Sequence, residues 1–408
     1  MKKERAFILT INGGSSSIKF ALYRLGKMPT RSLYGKLDRI GLEDSTFTFN
    51  NEKGFHQNIP EAGVSDYHSS VNFLMDWLEK QIDFSVLRGV GHRVVFGMKH
   101  TEPELITQKL LDELHRIIPY DSDHLPAEIE LIEVFSQRYP NLLQVACFDT
   151  AFHRTMPRVA KLLPIPRRFD KIGIQRYGFH GLSYAYLIEE LMRVAGKKAG
   201  KGRVILAHLG NGASLAAVHK GKSVDTSMGF TPAGGMIMGT RPGDLDPGVA
   251  WYMMKSENLT PKQFNNLINH ESGLLGISET NSDMRDLLAK ESDDIRAAEA
   301  VALFCYQAKK WIGAFAATLG GLDTLVFAGG IGENCPVIRS RICEGLEFLG
   351  IGLEEKLNRK NAPIISKDKA NVAVRVIHTD EEWMIAHLVL HVLGLGGSSE
   401  DQGWGYTP

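Results

Sequence analysis

The segment FILTINGGSSSIKFALY (residues 7–23) decides the fold. Two runs of β-forming residues flank a polar turn that contains glycine, which predicts a β-hairpin. The segment VILAHLGNGASLAAV (residues 204–218) repeats this pattern of strand, Asn/Gly/Ser turn and strand almost half a chain later. Self-similarity at this spacing predicts a duplicated α/β architecture, in which two related halves each open with a hairpin and a cleft lies between them.

The length of the chain predicts the number of domains, and its charge disfavours certain partners. A chain of 408 residues predicts two or three domains. Lys plus Arg equals Asp plus Glu, 47 each, so no overall field favours nucleic acid or an anionic membrane as a partner. The apolar run at residues 6–11 is too short for a signal peptide, and no run approaches the roughly 20 residues of a membrane span. We expect a soluble, cytoplasmic protein.

Apolar periodicity and turn residues give a coarse order of elements. Helices are predicted at residues 71–81, 105–117, 128–137, 261–269, 295–319, 336–349 and 383–392. Strands are predicted at 143–148, directly before Asp149, and at 324–328. Residues 225–246 are rich in Gly and Pro and include Arg241, which predicts a long functional loop. The tail after Leu395 lacks apolar periodicity, which predicts disorder.

Three glycine-bearing turns could hold phosphate groups with backbone N–H groups: residues 12–17, 210–214 and 329–334. A single turn of this kind usually reverses the chain and binds no ligand, but three such turns together favour an anion site. The sequence contains neither a P-loop string nor a dinucleotide-binding fingerprint, so the phosphate site must be of another kind. Lys19 follows the first turn on a strand and either points toward that site or is a solvated strand lysine.

Several strings together resemble the signatures of the acetate kinase family, in the family's order and over nearly the whole chain. They are NGGSSSIK (12–19), GHRVV (91–95), FDTAFH (148–153), YGFHGLS (177–183), HLGNG (208–212), MGTRPGDLDPG (238–248), GIGEN (330–334) and TDEE (379–382). The family belongs to the acetate and sugar kinase, Hsp70 and actin superfamily.

The resemblance implies an α/β fold of two RNase H-like (actin-like ATPase) domains with an interdomain active-site cleft. The expected N-terminal domain is 1–151, completed by a C-terminal helix of about 381–396; the nucleotide-binding domain is 152–380, and 397–408 is a disordered tail. The implied activity is reversible transfer of the ATP γ-phosphoryl group to acetate by direct in-line displacement. Mg²⁺ or Mn²⁺ is the implied metal, ATP is the co-substrate, and a homodimer is the implied assembly.

The resemblance also assigns the site residues. Catalytic roles fall to Arg93, Asp149, His180 and Arg241, and binding of the acid to Arg93, Val95, Phe179 and Pro232. ATP binding falls to Lys19, His208, Leu209, Gly210, Asn211, Gly212, Asp283, Met284, Arg285, Gly330, Ile331, Gly332, Glu333 and Asn334. The implied metal residues are Asn12 and Glu381. Taken singly, each has an ordinary alternative: a surface ion pair for the arginines, a structural histidine, a capping pair at Asp283 and Arg285, and a helix-start acid at Glu381.

A carboxylate acceptor is already ionised at neutral pH and needs no general base. We therefore expect Asp149 to orient Arg93 or Arg241, or to hold a metal-bound water, rather than to abstract a proton. Family members usually have His-Gly after the two valines and a Leu-His-Asn-Pro string further on, whereas this chain has VFGM (95–98) and IPYDSDHLP (118–126). A propionate or other short-chain acyl kinase is therefore the first alternative, and an Hsp70- or actin-like ATP-binding module without metabolite kinase activity is the distant one.

Overall fold

The computed structural model describes residues 6–14, 17–26, 28–41, 45–58 and 66–395. The chain divides into two compact units. Unit 1 comprises Met1–Ala151 and Asp380–Pro408, and unit 2 comprises Phe152–Thr379. Ser15 and Ser16 of the first predicted turn, and the predicted disordered tail, lie outside the described residues.

In chain order, the strands of the described residues are β1 (Phe7–Gly13), β2 (Ser17–Arg24), β3 (Thr30–Asp38), β4 (Thr46–Asn51), β5 (Gly54–Asn58), β6 (Leu87–Val94), β7 (Glu104–Leu105), β8 (Gln144–Phe148), β9 (Arg203–Leu209), β10 (Ala213–His219), β11 (Lys222–Thr226), β12 (Thr324–Ala328) and β13 (Ala373–Val376). The α-helices are α1 (Tyr67–Gln81), α2 (Gln108–Ile117), α3 (Leu125–Arg138), α4 (Arg158–Lys161), α5 (Arg167–Lys171), α6 (Gly181–Ala195), α7 (Lys197–Lys201), α8 (Pro247–Ser256), α9 (Pro261–Asn266), α10 (Gly273–Ser278), α11 (Met284–Lys290), α12 (Ile295–Leu319), α13 (Gly329–Asn334), α14 (Pro336–Cys343), α15 (Glu355–Arg359) and α16 (Glu381–Val392).

The sheet of unit 1 has the strand order β5-β4-β3-β2-β1-β6-β8-β7. β1 pairs with β2 as the predicted antiparallel hairpin, and β1, β6 and β8 run parallel. α1 and α3 bury apolar side chains against this sheet, among them Leu74 and Phe135. α16 packs on β1 and β6, where a side chain at Gly91 would overlap Ile385. The glycine thus allows the last helix to lie directly on the strand that carries Arg93.

The sheet of unit 2 has the order β11-β10-β9-β12-β13. β9 and β10 form the second predicted hairpin, and β12 runs parallel to β9. α12 packs against β9 and β10, and it begins and ends where the sequence predicts, because Asp294 caps its first turn and Gly320 ends it at φ 67°. The predicted α/β class with two sheets is confirmed.

Several predicted boundaries are wrong. The helix predicted at 105–117 begins at Gln108, because Thr107 caps it and residues 104–105 pair with β8. The helix predicted at 128–137 begins one turn earlier, at Leu125, since Pro126 is tolerated in a first turn. The predicted helix 71–81 likewise begins earlier, at Tyr67, after the N-cap Asp66.

Glycine ends other helices sooner than predicted. The turn predicted at 329–334 is the short helix α13, and the helix predicted at 336–349 ends at Cys343, two residues before Gly345 at φ 76°. The C-terminal helix ends at Val392 rather than near 396, ahead of Gly394 at φ 65°. The helix predicted at 261–269 passes at Leu267 into a π-helical turn, and that predicted at 383–392 begins at Glu381.

Within the described part of the chain, no helix is both long and apolar enough to cross a membrane.

Candidate active site

Three neighbouring parallel strands of unit 1 end at one edge of its sheet, and a polar side chain lies near each end. β1 carries Asn12, β6 carries Arg93, and Asp149 directly follows β8. The register pairs Ile11 with His92, so Asn12 and Arg93 extend from the same level of the sheet. Ligands of α/β sheets bind at this end of the strands. The sheet therefore brings together three of the predicted site residues.

Arg93 is held by a forked contact with Asp149. Its Nε donates to Asp149 Oδ2 at 3.0 Å and its Nη2 donates to the same oxygen at 2.6 Å, while Nη1 donates to Asn12 Oδ1 at 3.3 Å. The Asp149 side chain is fully buried and that of Arg93 is 15% exposed. Burial lowers the pKa of Arg93, but the charges of Asp149 and Glu381 outweigh it and raise the pKa overall. The result is a fixed, charged guanidinium with a planar fork, the group best suited to bind a carboxylate.

The first turn of α16 places two carboxylates beside Asn12. Asn12 Nδ2 donates to Glu381 Oε2 at 2.9 Å and to Glu382 Oε1 at 3.1 Å. Asp380 caps the helix by accepting from the Trp383 N–H at 2.9 Å. Glu381 is thus also a helix-start acid, which is the ordinary alternative for this residue, and both roles are compatible.

The predicted metal residues offer hard oxygen donors. The amide of Asn12 lies within hydrogen-bond distance of the carboxylates of both Glu381 and Glu382. Among the described residues, no group of three or more His, Cys, Asp or Glu forms a ready-made metal cage. Mg²⁺ fits such a sparse oxygen set, because it keeps several waters and takes its remaining ligands from one or two carboxylates and from phosphates.

Lys19 lies on β2 with its side chain exposed, while Ile18 and Phe20 are buried. The nearby carboxylate of Glu382, and then that of Glu381, raise the pKa of Lys19 above its ordinary value. Its ammonium is therefore charged and belongs to the same group of side chains as Asn12. The described part of the first turn is a tight hairpin, in which Gly14 N donates to the carbonyl of Ser17 at 2.8 Å.

Glu128 is a site residue that the sequence did not reveal. It is 1% exposed, and its Oε2 accepts a hydrogen bond at 3.0 Å from the backbone N–H of Val95, two residues after Arg93. Its Oε1 is buried without a hydrogen-bond partner, and burial raises its pKa well above the ordinary value. The only signal was an acid within the apolar pattern of a helix, and the predicted helix start placed it at the first residue of that helix rather than in its buried face.

In unit 2, His180 at the start of α6 stacks on His208 near the end of β9. His180 precedes α6 in the left-handed region at φ 59°, and its Nδ1 lies 2.8 Å from Ser214 Oγ. Its ring stacks on that of His208, with centroids 4.3 Å apart. Ser183 Oγ lies 2.8 Å from His208 Nδ1 and 2.7 Å from Thr379 Oγ1. Serine hydroxyls therefore fix both imidazoles, a role that the sequence did not assign to Ser183 or Ser214.

Arg241 lies near His180 at the turn between β9 and β10. Its Nη1 donates to the carbonyl of Pro232 at 2.9 Å. A Cβ atom at Gly212 would lie 3.3 Å from His180 Nε2 and 3.5 Å from Arg241 Nη2. Glycine at this point thus lets an imidazole, a guanidinium and the backbone of the turn converge, an arrangement suited to an anionic oxygen.

The segment 330–334 lies against the same turn as part of α13. A Cβ atom at Gly210 would be 3.8 Å from Gly330 N, and Gly329, at φ 74°, would place a Cβ atom 2.7 Å from the carbonyl oxygen of Leu209. The Glu333 carboxylate is engaged within the protein, since Oε1 accepts from Gly329 N at 2.9 Å and from Thr379 N at 3.0 Å. Glu333 therefore fixes the backbone here, and Ile331 and Asn334 complete the helix.

Asp283 and Arg285 make the capping pair that was their ordinary alternative. Asp283 is the N-cap of α11; its Oδ1 accepts from Arg285 N at 2.8 Å and its Oδ2 from Arg285 Nη2 at 2.6 Å. Met284 between them is buried. A Cβ atom at Gly239 would overlap Asn211 and lie 3.4 Å from Ser282 Cβ, so the start of α11 is close to the predicted phosphate turn. The predicted contact with the nucleoside stays a prediction.

The predicted acyl-pocket residues are apolar and buried, but they lie in different units. Val95 is in unit 1, and Phe179 and Pro232 are in unit 2. Phe96, which replaces the histidine usual in the family, is fully buried and stacks on Tyr120 with ring centroids 6.4 Å apart. The two sequence departures near the predicted pocket, at 95–98 and 118–126, are therefore in contact with each other.

Comparison with known proteins shows the family of the chain. The family model of the acetokinase family matches residues 7–387. An acetate kinase from Methylocella silvestris is 40% identical over 398 residues, 95% of this chain and 98% of the relative. A propionate kinase from Citrobacter rodentium is 42% identical over 394 residues, 94% of this chain and 96% of the relative. The crystal structure of Porphyromonas gingivalis acetate kinase superimposes with a TM-score of 0.85 at 36% identity, covering 95% of this chain and all of that one.

The match extends over nearly the full length of both sequences. Acetate and propionate kinases are matched at the same level of identity. The chain belongs to the acetokinase family and is a kinase with a carboxyl group as acceptor.

Proposed function

We propose that the chain transfers the γ-phosphoryl group of ATP to acetate, reversibly, to give acetyl phosphate and ADP. The observation that carries the proposal is the Arg93 guanidinium, fixed by buried Asp149 beside Asn12 and Glu381. Asp149 takes the Nε and Nη2 edge of the guanidinium, and the N–H groups that remain on Nη1 and Nη2 can bind a small carboxylate and orient one of its oxygens for in-line attack.

Asp149 acts in this proposal by orienting Arg93. Both hydrogen bonds of the fork end on Asp149 Oδ2, and the acid substrate is ionised at neutral pH, so no proton has to be removed from the nucleophile. Asp149 also lowers the affinity of Arg93 for the acid substrate, because the positive charge of the guanidinium is shared between the two carboxylates. The expected result is an acid held firmly in orientation but released after transfer.

The residues of unit 2 serve the phosphoryl group. His180 donates from its imidazole to a γ-phosphoryl oxygen, and Arg241 neutralises the charge that spreads over these oxygens during transfer. Backbone N–H groups of residues 208–212 hold the phosphates of ATP, and α13 lies on the adenosine side. Lys19 supplies a further cation toward the phosphates.

The metal would be held by Asn12 and Glu381, with Mg²⁺ preferred and Mn²⁺ as a substitute. When bound, Mg²⁺ supplies neutralisation of the phosphate charge and aligns the phosphate oxygens. Arg93 orients Asn12, so the side chains that would hold the metal are themselves fixed by the protein.

Acetate is the leading acid, and propionate is the specific alternative. Relatives of both names match this chain at about the same identity, and buried Phe96 and half-buried Tyr120 stand where the family usually has other residues. One methylene in an apolar pocket changes the transition-state energy by only about 1–3 kcal/mol. A comparison of kcat/KM for formate, acetate, propionate and butyrate decides this point; a higher kcat/KM for propionate than for acetate would overturn the acetate assignment.

The reaction itself is tested by hydroxamate formation from acid, ATP and hydroxylamine, with Mg²⁺ or Mn²⁺ and with a panel of nucleoside triphosphates. We expect acetyl hydroxamate with ATP, and almost none from an Arg93→Ala variant. Tight ATP binding without hydroxamate from any short acid would instead favour an Hsp70- or actin-like module.

We further propose a cytoplasmic homodimer. Trp251 and Tyr252 on α8 are 69% and 71% exposed, and Tyr306 on α12 is 62% exposed. Large aromatic side chains at the surface favour an interface with another protein surface. Light scattering after size-exclusion chromatography should give twice the chain mass; a monomer at micromolar concentration would contradict this.

A further inference from the structure

Arg339 is a fully buried arginine of α14 whose hydrogen-bond acceptors are neutral. Nε donates to Asn358 Oδ1 at 2.8 Å, and Nη2 donates to the carbonyl of Asn358 at 2.8 Å and to Asn361 Oδ1 at 2.6 Å. Nη1 donates to the carbonyls of Gly332 at 2.8 Å and Glu333 at 3.1 Å. A guanidinium has five N–H donors in a rigid fork, and here all three nitrogens are used.

Two of these bonds reach the end of α13. The last carbonyl groups of a helix have no partner within the helix, and Arg339 supplies one for Gly332 and one for Glu333. At the other end of the same helix, Glu333 Oε1 accepts from the N–H of Gly329. Side chains therefore fix the backbone of this six-residue helix at both ends.

The position of α13 matters because it borders the turn at residues 210–212. Gly329 and Gly332 face β9, where added Cβ atoms would lie 2.7 Å from the Leu209 oxygen and 3.6 Å from the Ala207 oxygen. A Cβ atom at Gly330 would meet nothing within 4 Å. The helix thus has one face against the sheet, and Gly330 faces open space next to the proposed phosphate site.

Ordinary stability does not explain why a charge is buried here. Burial lowers the pKa of Arg339, which means that the folded protein bears a cost for enclosing the guanidinium. An apolar side chain of similar volume would fill the space without that cost, but it could not bind carbonyl groups of α13 and of the Asn358–Asn361 segment at once.

We propose that Arg339 is a positioning residue for the nucleotide: its fork locks α13 to the segment 358–361 and so holds the helix backbone at the distance that the nucleotide requires. This inference rests on the proposed kinase function. Arg339 touches no substrate; it acts through the backbone of Gly332 and Glu333.

The decisive variant is Arg339→Lys, which keeps the charge but loses the fork. We expect KM for ATP and the Kd for ADP, measured by calorimetry, to rise about tenfold, with KM for the acid within twofold of the wild type. The matched control is Arg341→Lys on the same helix, because the Arg341 fork binds Glu291 at 2.7 Å through each of two nitrogens and does not reach α13. Both constants should stay unchanged in that variant.

A second variant keeps the proposal testable if Arg339→Lys does not fold. Asn361→Gly removes one acceptor of the guanidinium, and glycine accepts the φ of 50° found at Asn361. We expect about a threefold rise in the Kd for ADP in this variant. A folded Arg339→Lys or Asn361→Gly protein with the wild-type Kd for ADP, or with KM for acid and ATP raised equally, would overturn the proposal. Weakened ADP binding in a protein that phosphorylates no acid would instead overturn the kinase function alone.

Discussion

Each unit's sheet contains a β-hairpin beside a parallel strand, but different polar side chains lie at the ends of the two hairpins. In unit 1 the hairpin β1–β2 lies beside the parallel strand β6, and in unit 2 the hairpin β9–β10 lies beside the parallel strand β12. In both, the polar residues of interest lie where the first strand of the hairpin ends, at Asn12 and at His208. The shared frame explains why the sequence repeat could be seen at all.

The difference comes from what covers each hairpin end. α16 brings the carboxylates of Glu381 and Glu382 to Asn12, so unit 1 combines fixed negative charge with the Arg93 guanidinium. At the other hairpin, α6 and α13 bring imidazole, hydroxyl and backbone groups to residues 208–212. One hairpin end therefore suits a metal and a carboxylate, and the other suits phosphate.

Asp149→Asn removes the carboxylate charge beside Arg93 in unit 1 and should have the largest effect on activity. The amide keeps the shape but loses the charge that fixes the Arg93 fork, so kcat should fall at least about 100-fold. In the proposed role Asp149 orients Arg93 and abstracts no proton, so the pH profile of the remaining activity should keep the wild-type shape. Steady-state kinetics between pH 6 and 9 provide the measurement.

The matched control for Asp149→Asn is Asp323→Asn. Asp323 also receives a forked contact, from Nε and Nη2 of Arg203, but at the partly exposed start of β9. Its loss should leave kcat within twofold. Recovery of the Asp149→Asn rate at high pH would show that Asp149 acts as a base and would contradict the orienting role.

The hairpins, α12, β12 and the strand before Asp149 were predictable, because each has a strong local pattern bounded by turn or capping residues. The residues that support the site were not. Glu128, Ser214 and Arg339 contact partners that lie 33, 34 and 19 positions away in the chain, namely Val95, His180 and Asn358. Local patterns describe the nearest turn of chain, whereas these contacts exist only once helices have packed on sheets.

A substitution at the proposed metal site should have the next largest effect. Glu381→Gln removes a charge from the group around Asn12, and we expect the Mg²⁺ concentration for half-maximal rate to rise about tenfold. Glu382→Gln is the comparison variant, since its hydrogen bond from Asn12 is longer, 3.1 Å against 2.9 Å, and its effect should be smaller. A titration of the rate with Mg²⁺ measures both. Equal half-saturation in wild type and Glu381→Gln would remove Glu381 from the metal site.

On the phosphate side, Ser214→Ala should have a more moderate effect. The Ser214 hydroxyl orients the His180 ring, so its loss lowers kcat about fivefold to tenfold with little change in KM for the acid. Tyr184→Phe is the control, because it removes the other hydroxyl that contacts Ser214 Oγ and keeps the Ser214 hydroxyl beside His180. If Tyr184→Phe lowers kcat as much as Ser214→Ala does, general packing rather than the orientation of His180 is responsible.

The last comparison concerns stability rather than activity and sets a buried glutamate of unit 1, Glu128, against one of unit 2, Glu189. Glu128 in unit 1 holds the Val95 N–H, whereas both carboxyl oxygens of Glu189 in α6 are buried without a hydrogen-bond partner, and burial raises the pKa of Glu189 to about 8. A raised carboxyl pKa means that the folded protein binds the proton more tightly than the unfolded chain, so stability falls as pH rises from about 4.3 to about 8. In Glu189→Gln this loss is removed, and its advantage over wild type should grow by at most about 1.4 kcal/mol per pH unit within that window. Urea unfolding at pH 5, 6.5 and 8 measures the difference in free energy of unfolding between Glu189→Gln and wild type.

Glu190→Gln is the control, because the Glu190 carboxylate is paired with Arg193 at 2.6 Å. An advantage of Glu189→Gln that is the same at all three pH values would show that Glu189 is ionised in the folded protein.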